Sequence, residues 1–182
     1  MKTQKSFQAK WLLVILTMTL ISFDLPDNWF VAGTQPQNYF MDIDIDMKRL
    51  DTNVMTIKSI VPEITGFGTI MKNTPVNEYA GKRVRMTGYV KTADVANWAG
   101  LWLRVDKKEP YEVLSFDNMH DGKTDRSITG TNDWKKYEIV LDVPQTAINL
   151  AYGVLLAGTG QVWFDEISFE TVDESVPTTG RE

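Results

Sequence analysis

Within residues 82 to 92, KRVRMTGYVKT, apolar side chains recur at every second position. Val84, Met86 and Val90 share one side of an extended chain, while Arg85 lies on the other side. Because successive side chains of a β-strand point to opposite faces, this segment is predicted to be a strand with one face in a core and the other in water.

The same period of two recurs before and after this segment. Pro, Gly and Asn residues separate the alternating runs, and no long run has the period of an amphipathic helix. The predicted strands are 41–47 (MDIDIDM), 54–60, 101–106, 137–143, 148–156 and 161–170. Many short strands at near-regular spacing are typical of an all-β antiparallel sandwich or barrel.

Composition limits the chemistry that the protein can perform. The 182 residues suffice for one domain, and they include no cysteine and a single histidine. Disulfides, thiolate metal sites, cysteine nucleophiles and sites that need two histidines are therefore excluded. The formal charge of -5 supplies no excess of cations for phosphates, so no nucleic-acid partner is expected.

The N-terminus has the pattern of an export signal. Lys2, Lys5 and Lys10 precede the uncharged run 11–23, WLLVILTMTLISF, which is short for a membrane span. No small-residue cleavage site follows, so the segment is either a signal peptide or an uncleaved membrane tether. The protein is expected to be secreted or extracytoplasmic, and any membrane contact is expected only through this segment.

These patterns divide the chain into three predicted parts. Residues 1–20 are predicted to be the signal or tether, and residues 21–172 the sandwich. Residues 173–182, DESVPTTGRE, contain one apolar side chain and are predicted to be a flexible tail.

Several stretches resemble known bacterial domains. SFDLPDNWF, GKRVRMTGYVKT and VWFDEISFE follow one another as do the motifs of the galactose-binding-like jelly-roll modules that bind carbohydrates beside glycoside hydrolases. This resemblance implies a two-sheet jelly-roll sandwich and a non-catalytic carbohydrate-binding role. The stretches GKRVRMTGYVKT, AGLWLRVD, FDNM and GTGQVW also resemble a small bacterial domain of proteins labelled transcriptional regulators, although the chain has no helix-turn-helix pattern.

Two sets of carboxylates are candidate cation ligands. Asp42, Asp44 and Asp46 share one strand face, but the positions of a calcium-binding loop that require Gly and Glu hold other residues, so a solvated face is the preferred interpretation. The jelly-roll resemblance implies a structural calcium ion that joins the first and last strands. Asp24 and Asp165 occupy the matching positions and are its predicted ligands.

Catalysis has little support in the sequence. His120 lies in a polar loop, but no serine or second histidine partner is identifiable by motif, and an exposed loop histidine is the preferred interpretation. Carboxylate pairs for glycoside hydrolysis can come from different strands, and nothing in the sequence singles out one pair. The protein is therefore predicted not to be an enzyme.

The polar face of two strands is the candidate binding surface. Flat aromatic rings beside forked donors suit sugar rings and their hydroxyl groups. Tyr89 and Trp102 would stack on the ligand, Arg85 and Arg104 would donate hydrogen bonds, and Asp117 or Asn118 would accept or orient them. These four stacking and donating residues share one side only if their strands lie in one sheet. Alternatively, a loop carrying Trp98, or Trp29 and Phe30, covers Trp102 and forms a second small core.

Two functional hypotheses follow. The first is an exported, non-catalytic module that binds a carbohydrate or another small polar ligand on a concave sheet face. The second is a bacterial regulatory or sensory protein that acts through a protein partner and not through DNA.

Overall fold

The computed structural model describes residues 25–109 and 111–180. Nine β-strands make up most of this range, and it contains no α-helix, only single 3-10 turns at Pro36–Asn38 and Asn77–Tyr79. No helix in the described part of the chain is long and apolar enough to cross a membrane. The strands are β1 (Trp29–Gly33), β2 (Tyr39–Arg49), β3 (Thr52–Ser59), β4 (Phe67–Pro75), β5 (Lys82–Lys107), β6 (Glu112–Asp117), β7 (Ile128–Val143), β8 (Asn149–Ala157) and β9 (Gln161–Val172).

Strand β5 belongs to two sheets. Its first half, residues 82–93, lies between β7 and β9, and its second half, residues 98–106, lies between β8 and β6. Sheet I therefore has the order β2-β3-β9-β5-β7, and sheet II has the order β1-β4-β8-β5-β6. All pairs are antiparallel, so the predicted all-β, two-sheet sandwich of jelly-roll type is confirmed.

The two sheets bury one main core. Val84, Met86 and Val90 face it from sheet I, and Leu101 and Leu103 face it from sheet II. The inward positions have even numbers before the bend and odd numbers after it. The register against β7 shifts at three places between residues 90 and 99, and the inward phase changes within this irregular stretch.

Asp42, Asp44 and Asp46, called the acidic stripe from here on, lie on β2, the edge strand of sheet I. A carboxylate oxygen of Asp42 accepts a hydrogen bond from the Ile43 amide at 2.7 Å, and one of Asp44 accepts from the amides of Asp46 and Met47 at 3.0 and 3.1 Å. The other Asp44 oxygen accepts from the Trp163 indole at 2.7 Å. The carboxylates of Asp42 and Asp44 thus accept hydrogen bonds from amides of their own strand, and the stripe is only partly exposed to solvent.

The segment that follows β9 differs from the expected loose tail. Residues 173–180 pack across the side of the sandwich where the edge strands β6 and β7 meet, and Thr178 and Gly180 are buried. The amide of Thr179 donates to the Val140 carbonyl at 2.8 Å. A polar segment with almost no apolar side chain is therefore held by backbone hydrogen bonds, which composition does not reveal.

Candidate functional site

A groove of about 540 Å³ runs along the outer face of sheet II. Strand β8 presents small residues on this face, including Ala151, Gly153 and Ala157, and it contributes Leu155 to the lining. The lining is mostly apolar and comes from β1, β4, β5, β6 and β8, together with the loop after β6. The lining residues are Ala32, Gly33, Thr34, Phe67, Thr69, Met71, Trp98, Trp102, Arg104, Phe116, Asn118, Asp121 and Leu155.

Trp102 forms the centre of a second apolar cluster beneath this groove. Its register partner on β8 is Gly153, so the indole can extend across β8 and donate its Nε1–H to the hydroxyl of Thr69 on β4 at 2.9 Å. Trp98, Phe67 and other partly buried apolar residues pack around it, and only 7% of Trp102 is exposed. The expectation of an exposed indole is wrong, and the alternative of a second small core with Trp98 over it describes the structure.

Three partly buried aromatic rings form the walls instead. Phe67 lies on β4, Phe116 on β6, and Trp98 at the start of the second half of β5. The Trp98 ring stacks on His120, with centroids 4.8 Å apart and an interplanar angle of 23°. His120 also lies 3.0 Å from the Ser127 hydroxyl, so it supports Trp98 from behind. Alternation alone does not reveal these rings as wall residues.

The rim of the groove is polar. Nε and Nη2 of Arg104 donate to the two carboxylate oxygens of Asp106, at 2.8 and 3.1 Å respectively. Asn118 accepts the amides of His120 and Asp121, and it donates to the Asp121 carboxylate at 3.0 Å. Within the described residues, Nη1 of Arg104 and the second carboxylate oxygen of Asp121 have no hydrogen-bonding partner. These two groups remain able to bind ligand hydroxyls.

Asp117 supports the site from below and does not line the groove. Its side chain is fully buried, pairs with Arg126 and accepts the amide of Met119 at 2.7 Å. A buried carboxylate that is satisfied in this way fixes the turn after β6. It has no surface with which to touch a ligand, which corrects the predicted contact through Asp117.

The predicted surface is divided between the two outer faces of the sandwich. Arg85 and Tyr89 lie on sheet I, whereas Trp102 and Arg104 lie on sheet II. The condition for a shared side, that the strands lie in one sheet, is not met because β5 passes from one sheet to the other. On sheet I, Arg85 pairs with two glutamates, and the Arg49 guanidinium covers the Tyr89 ring at 3.5 Å.

The predicted calcium ligands are only partly within the described residues. Asp24 lies outside them. Asp165 pairs with Arg49 at 3.3 Å and accepts the amide of Glu166 at 2.8 Å. In residues 25–109 and 111–180, no three His, Asp or Glu side chains cluster as a metal ion requires. The calcium ion stays a prediction, which a rise of the melting temperature with added calcium would support.

Comparison with known sequences gives one relative of known name. No family model matches the chain. The uncharacterized HTH-type transcriptional regulator YbfP of Bacillus subtilis strain 168 is 42% identical over 155 residues, which are 85% of this chain and 51% of that protein. The chain thus spans about half the length of the curated relative that it matches.

Solved structures share the fold at low sequence identity. The family 30 carbohydrate-binding module of a Clostridium thermocellum cellulosomal cellulase has a TM-score of 0.56 and 12% identity, with 85% of this chain and 97% of that chain covered. The CBM22-1 xylan-binding domain from Paenibacillus barcinonensis Xyn10C has a TM-score of 0.52 and 14% identity, with 80% and 86% covered.

A domain named as enzymatically active is also similar in structure. The enzymatically active domain of tailspike protein 4 of bacteriophage CBA120 has a TM-score of 0.57 and 11% identity, with 80% of this chain but only 20% of that chain covered. Both resemblances seen in the sequence are confirmed: the chain has the jelly-roll sandwich fold of carbohydrate-binding modules, and its sequence is similar to that of a bacterial transcriptional regulator.

Proposed function

We propose that the protein is a non-catalytic module that binds a carbohydrate in the groove on sheet II. The observation that carries this proposal is the combination of aromatic walls with a rim of unpaired hydrogen-bonding groups. A pyranose ring has apolar C–H faces that stack on aromatic rings, and its hydroxyl groups need donors and acceptors at the edge. Phe67, Trp98 and Phe116 supply the first requirement, and Arg104 and Asp121 supply the second.

The charges of the groove favour a neutral ligand. The guanidinium of Arg104 is balanced by Asp106, and the Asp121 carboxylate accepts from the neutral amide of Asn118. A carboxylate or sulfate on the ligand would meet no uncompensated cation there. The shared fold with carbohydrate-binding modules, one of them named for xylan, makes neutral β-linked oligosaccharides the first ligands to test.

The test compares binding to two tryptophan variants. Isothermal titration with hexasaccharides of β-1,4-xylose, β-1,4-glucose and β-1,3-glucose should show saturable binding to at least one. Loss of a stacking ring costs about 1 to 3 kcal/mol by analogy with base stacking, so Trp98→Ala should weaken binding roughly ten- to hundredfold. The matched control is Trp134→Ala, because Trp134 lies near Arg49 on the other outer face. Equal affinity of Trp98→Ala and the wild type contradicts the proposed site.

A second candidate is the sensory part of a regulator. The 42% identity to a named transcriptional regulator favours it. The part of the chain that the structure describes contains no α-helix, so these residues would sense the ligand and would not themselves enter a DNA groove. Deletion of the gene should then abolish a carbohydrate-induced change of transcription in the native host. If the deletion strain keeps the same transcriptional response, the regulatory candidate is refuted and only the carbohydrate-binding proposal stands.

Export is part of the proposal. It is supported by three lysines before a thirteen-residue uncharged run, all of which lie outside the described residues. Fractionation of the native host should find the protein outside the cytoplasm or attached to the membrane. Full-length protein found only in the cytosol would refute export and favour the regulatory role.

A further inference from the structure

The segment 173–180, called the strap from here on, is fixed at its start by one arginine. Nη1 of Arg83 donates to the carbonyls of Glu174 and Val176 at 2.5 and 2.7 Å. The other side of the same guanidinium binds Asp142 on β7 at 2.7 and 2.9 Å. The beginning of the strap is therefore attached to sheet I.

The end of the strap joins sheet I to the loop that follows β6. Thr179 exchanges hydrogen bonds with Val140 of β7, donating its amide to the carbonyl at 2.8 Å and accepting the amide on its hydroxyl at 2.9 Å. The Thr179 carbonyl accepts the amide of Lys123 at 2.8 Å, and the Lys123 ammonium donates to the Thr178 hydroxyl at 2.5 Å. Residues 117–123, called the groove loop, are thus tied to the edge of β7 through Thr179.

This contact is closely packed. A Cβ atom at Gly122 would lie 2.9 Å from the Thr179 carbonyl oxygen and also 2.9 Å from a carboxylate oxygen of Asp117. A Cβ atom at Gly180 would lie 2.6 Å from the Phe116 carbonyl oxygen. Since real Cβ atoms do not approach oxygen so closely, a side chain at either glycine would force the strap away from the groove loop or from Phe116.

The segment that meets the strap also lines the groove, through other residues. Phe116, Asn118 and Asp121 line it, while Gly122 and Lys123 meet the strap. One carboxylate oxygen of Asp121 accepts from Asn118 at 3.0 Å, and the other is one of the two rim groups without a hydrogen-bonding partner among the described residues. Only one residue separates it along the chain from the amide that donates to Thr179.

We propose that the strap positions the groove loop and that strap docking is thermodynamically coupled to ligand binding in the groove. Thr179 is the central positioning residue, since its hydrogen bonds reach both Val140 of β7 and Lys123 of the groove loop. This inference rests on the proposed carbohydrate site. Coupling between two sites is reciprocal, so a ligand that needs the loop in its observed position must also stabilise the docked strap.

The test uses Gly180→Ala, which displaces the end of the strap, and Thr179→Val, which removes the hydroxyl that accepts from Val140. Without ligand, both variants should raise amide hydrogen exchange of residues 118–123 at least tenfold and leave that of β3 and β9 unchanged. With the best-bound hexasaccharide, both should weaken affinity three- to tenfold, and saturation of the wild type should slow exchange at residues 178–180. The control is Ser175→Ala, because that residue is exposed and bonds only within the strap.

The two proposals fail in different ways. Unchanged exchange of the groove loop in both variants overturns the inference, whether or not any sugar binds. Wild-type affinity in both variants overturns it too. If the wild type binds no oligosaccharide, the proposed function fails, while the exchange experiment still decides whether the strap positions the loop.

Discussion

Trp102 shows how one residue can satisfy the sequence pattern of a ligand-binding residue and still be structural. Its outward phase on β5 is correct, but Gly153 leaves space for the indole to lie flat across β8, and Thr69 accepts its only polar hydrogen. The position that alternation assigns to the outer face is therefore a buried one. Exposure on a sheet depends on the size of the neighbouring side chains as well as on phase.

The first prediction separates this second core from the binding wall. Trp102→Ala should lower the free energy of unfolding by about 3 to 5 kcal/mol, since it removes a large buried ring and leaves Thr69 without its donor. Leu103→Ala, in the main core, should cost about 2 to 5 kcal/mol. Trp98→Ala is the contrasting variant, because its ring is partly exposed and should cost less. Urea denaturation measures all three, and a Trp102→Ala protein as stable as the wild type would disprove the buried role.

Among the elements, β5 determines how the outer faces are composed. Asp94, at the bend between its two halves, has a φ of 51°, in the left-handed region that β-branched residues avoid. Its amide and carboxylate both bond to the Thr131 hydroxyl, at 3.0 and 3.1 Å, which holds the bend against β7. The crossing from sheet I to sheet II is thus stabilised by a local turn.

The second prediction concerns this bend. Asp94→Val should destabilise the protein by about 1 to 3 kcal/mol, because a β-branched side chain is strained at positive φ. Asp94→Gly should be nearly neutral, since the relief of strain offsets the loss of the hydrogen bond that the carboxylate accepts from Thr131. Thermal unfolding of the pair provides the measurement. Equal melting temperatures for the two variants would show that the bend is not under backbone constraint.

Alternation in the sequence predicts individual strands but not the sheet to which each strand belongs. Alternation identified β2, β3, both halves of β5, and β8, and it assigned Val84 and Leu103 to the core as observed. It could not place Arg85 and Arg104 on different faces, because a period of two defines the sides of a strand and not the sheet to which the strand belongs. The groove walls depend on contacts between strands distant in sequence, which local patterns do not contain.

For the whole molecule, ionisable groups limit stability at both ends of the pH scale. The Arg83 guanidinium holds the pKa of Asp142 below its ordinary 3.8. Hydrogen bonds from Ser127 lower the pKa of Asp125, and Lys91 lowers that of Asp133. Burial raises the pKa of the Tyr39 hydroxyl from 10.0 to about 12, where it donates to the Gly158 carbonyl at 2.9 Å.

The third prediction follows from the signs of these shifts. Lowered carboxyl pKa values stabilise the fold above pH 3.8, and that contribution is lost as the pH falls through the folded-state values. The raised Tyr39 pKa contributes fully below pH 10 and is lost as the pH rises towards 12. Melting temperature should therefore be flat from about pH 5 to 9 and fall on either side. Tyr39→Phe should flatten the alkaline limb, Asp142→Asn should flatten the acid limb, and an unaltered limb in either variant contradicts the assignment.

The aspartates of β2 have a consequence for how copies of this protein behave towards one another. A free strand edge is a template on which a second chain can add a strand and begin aggregation. Here the amides of Ile43, Asp46 and Met47 are already occupied by carboxylates of their own strand, and each carboxylate repels the same stripe on an approaching copy. The acidic stripe thus opposes the addition of a strand at this edge, on which Phe40 and Ile45 are exposed.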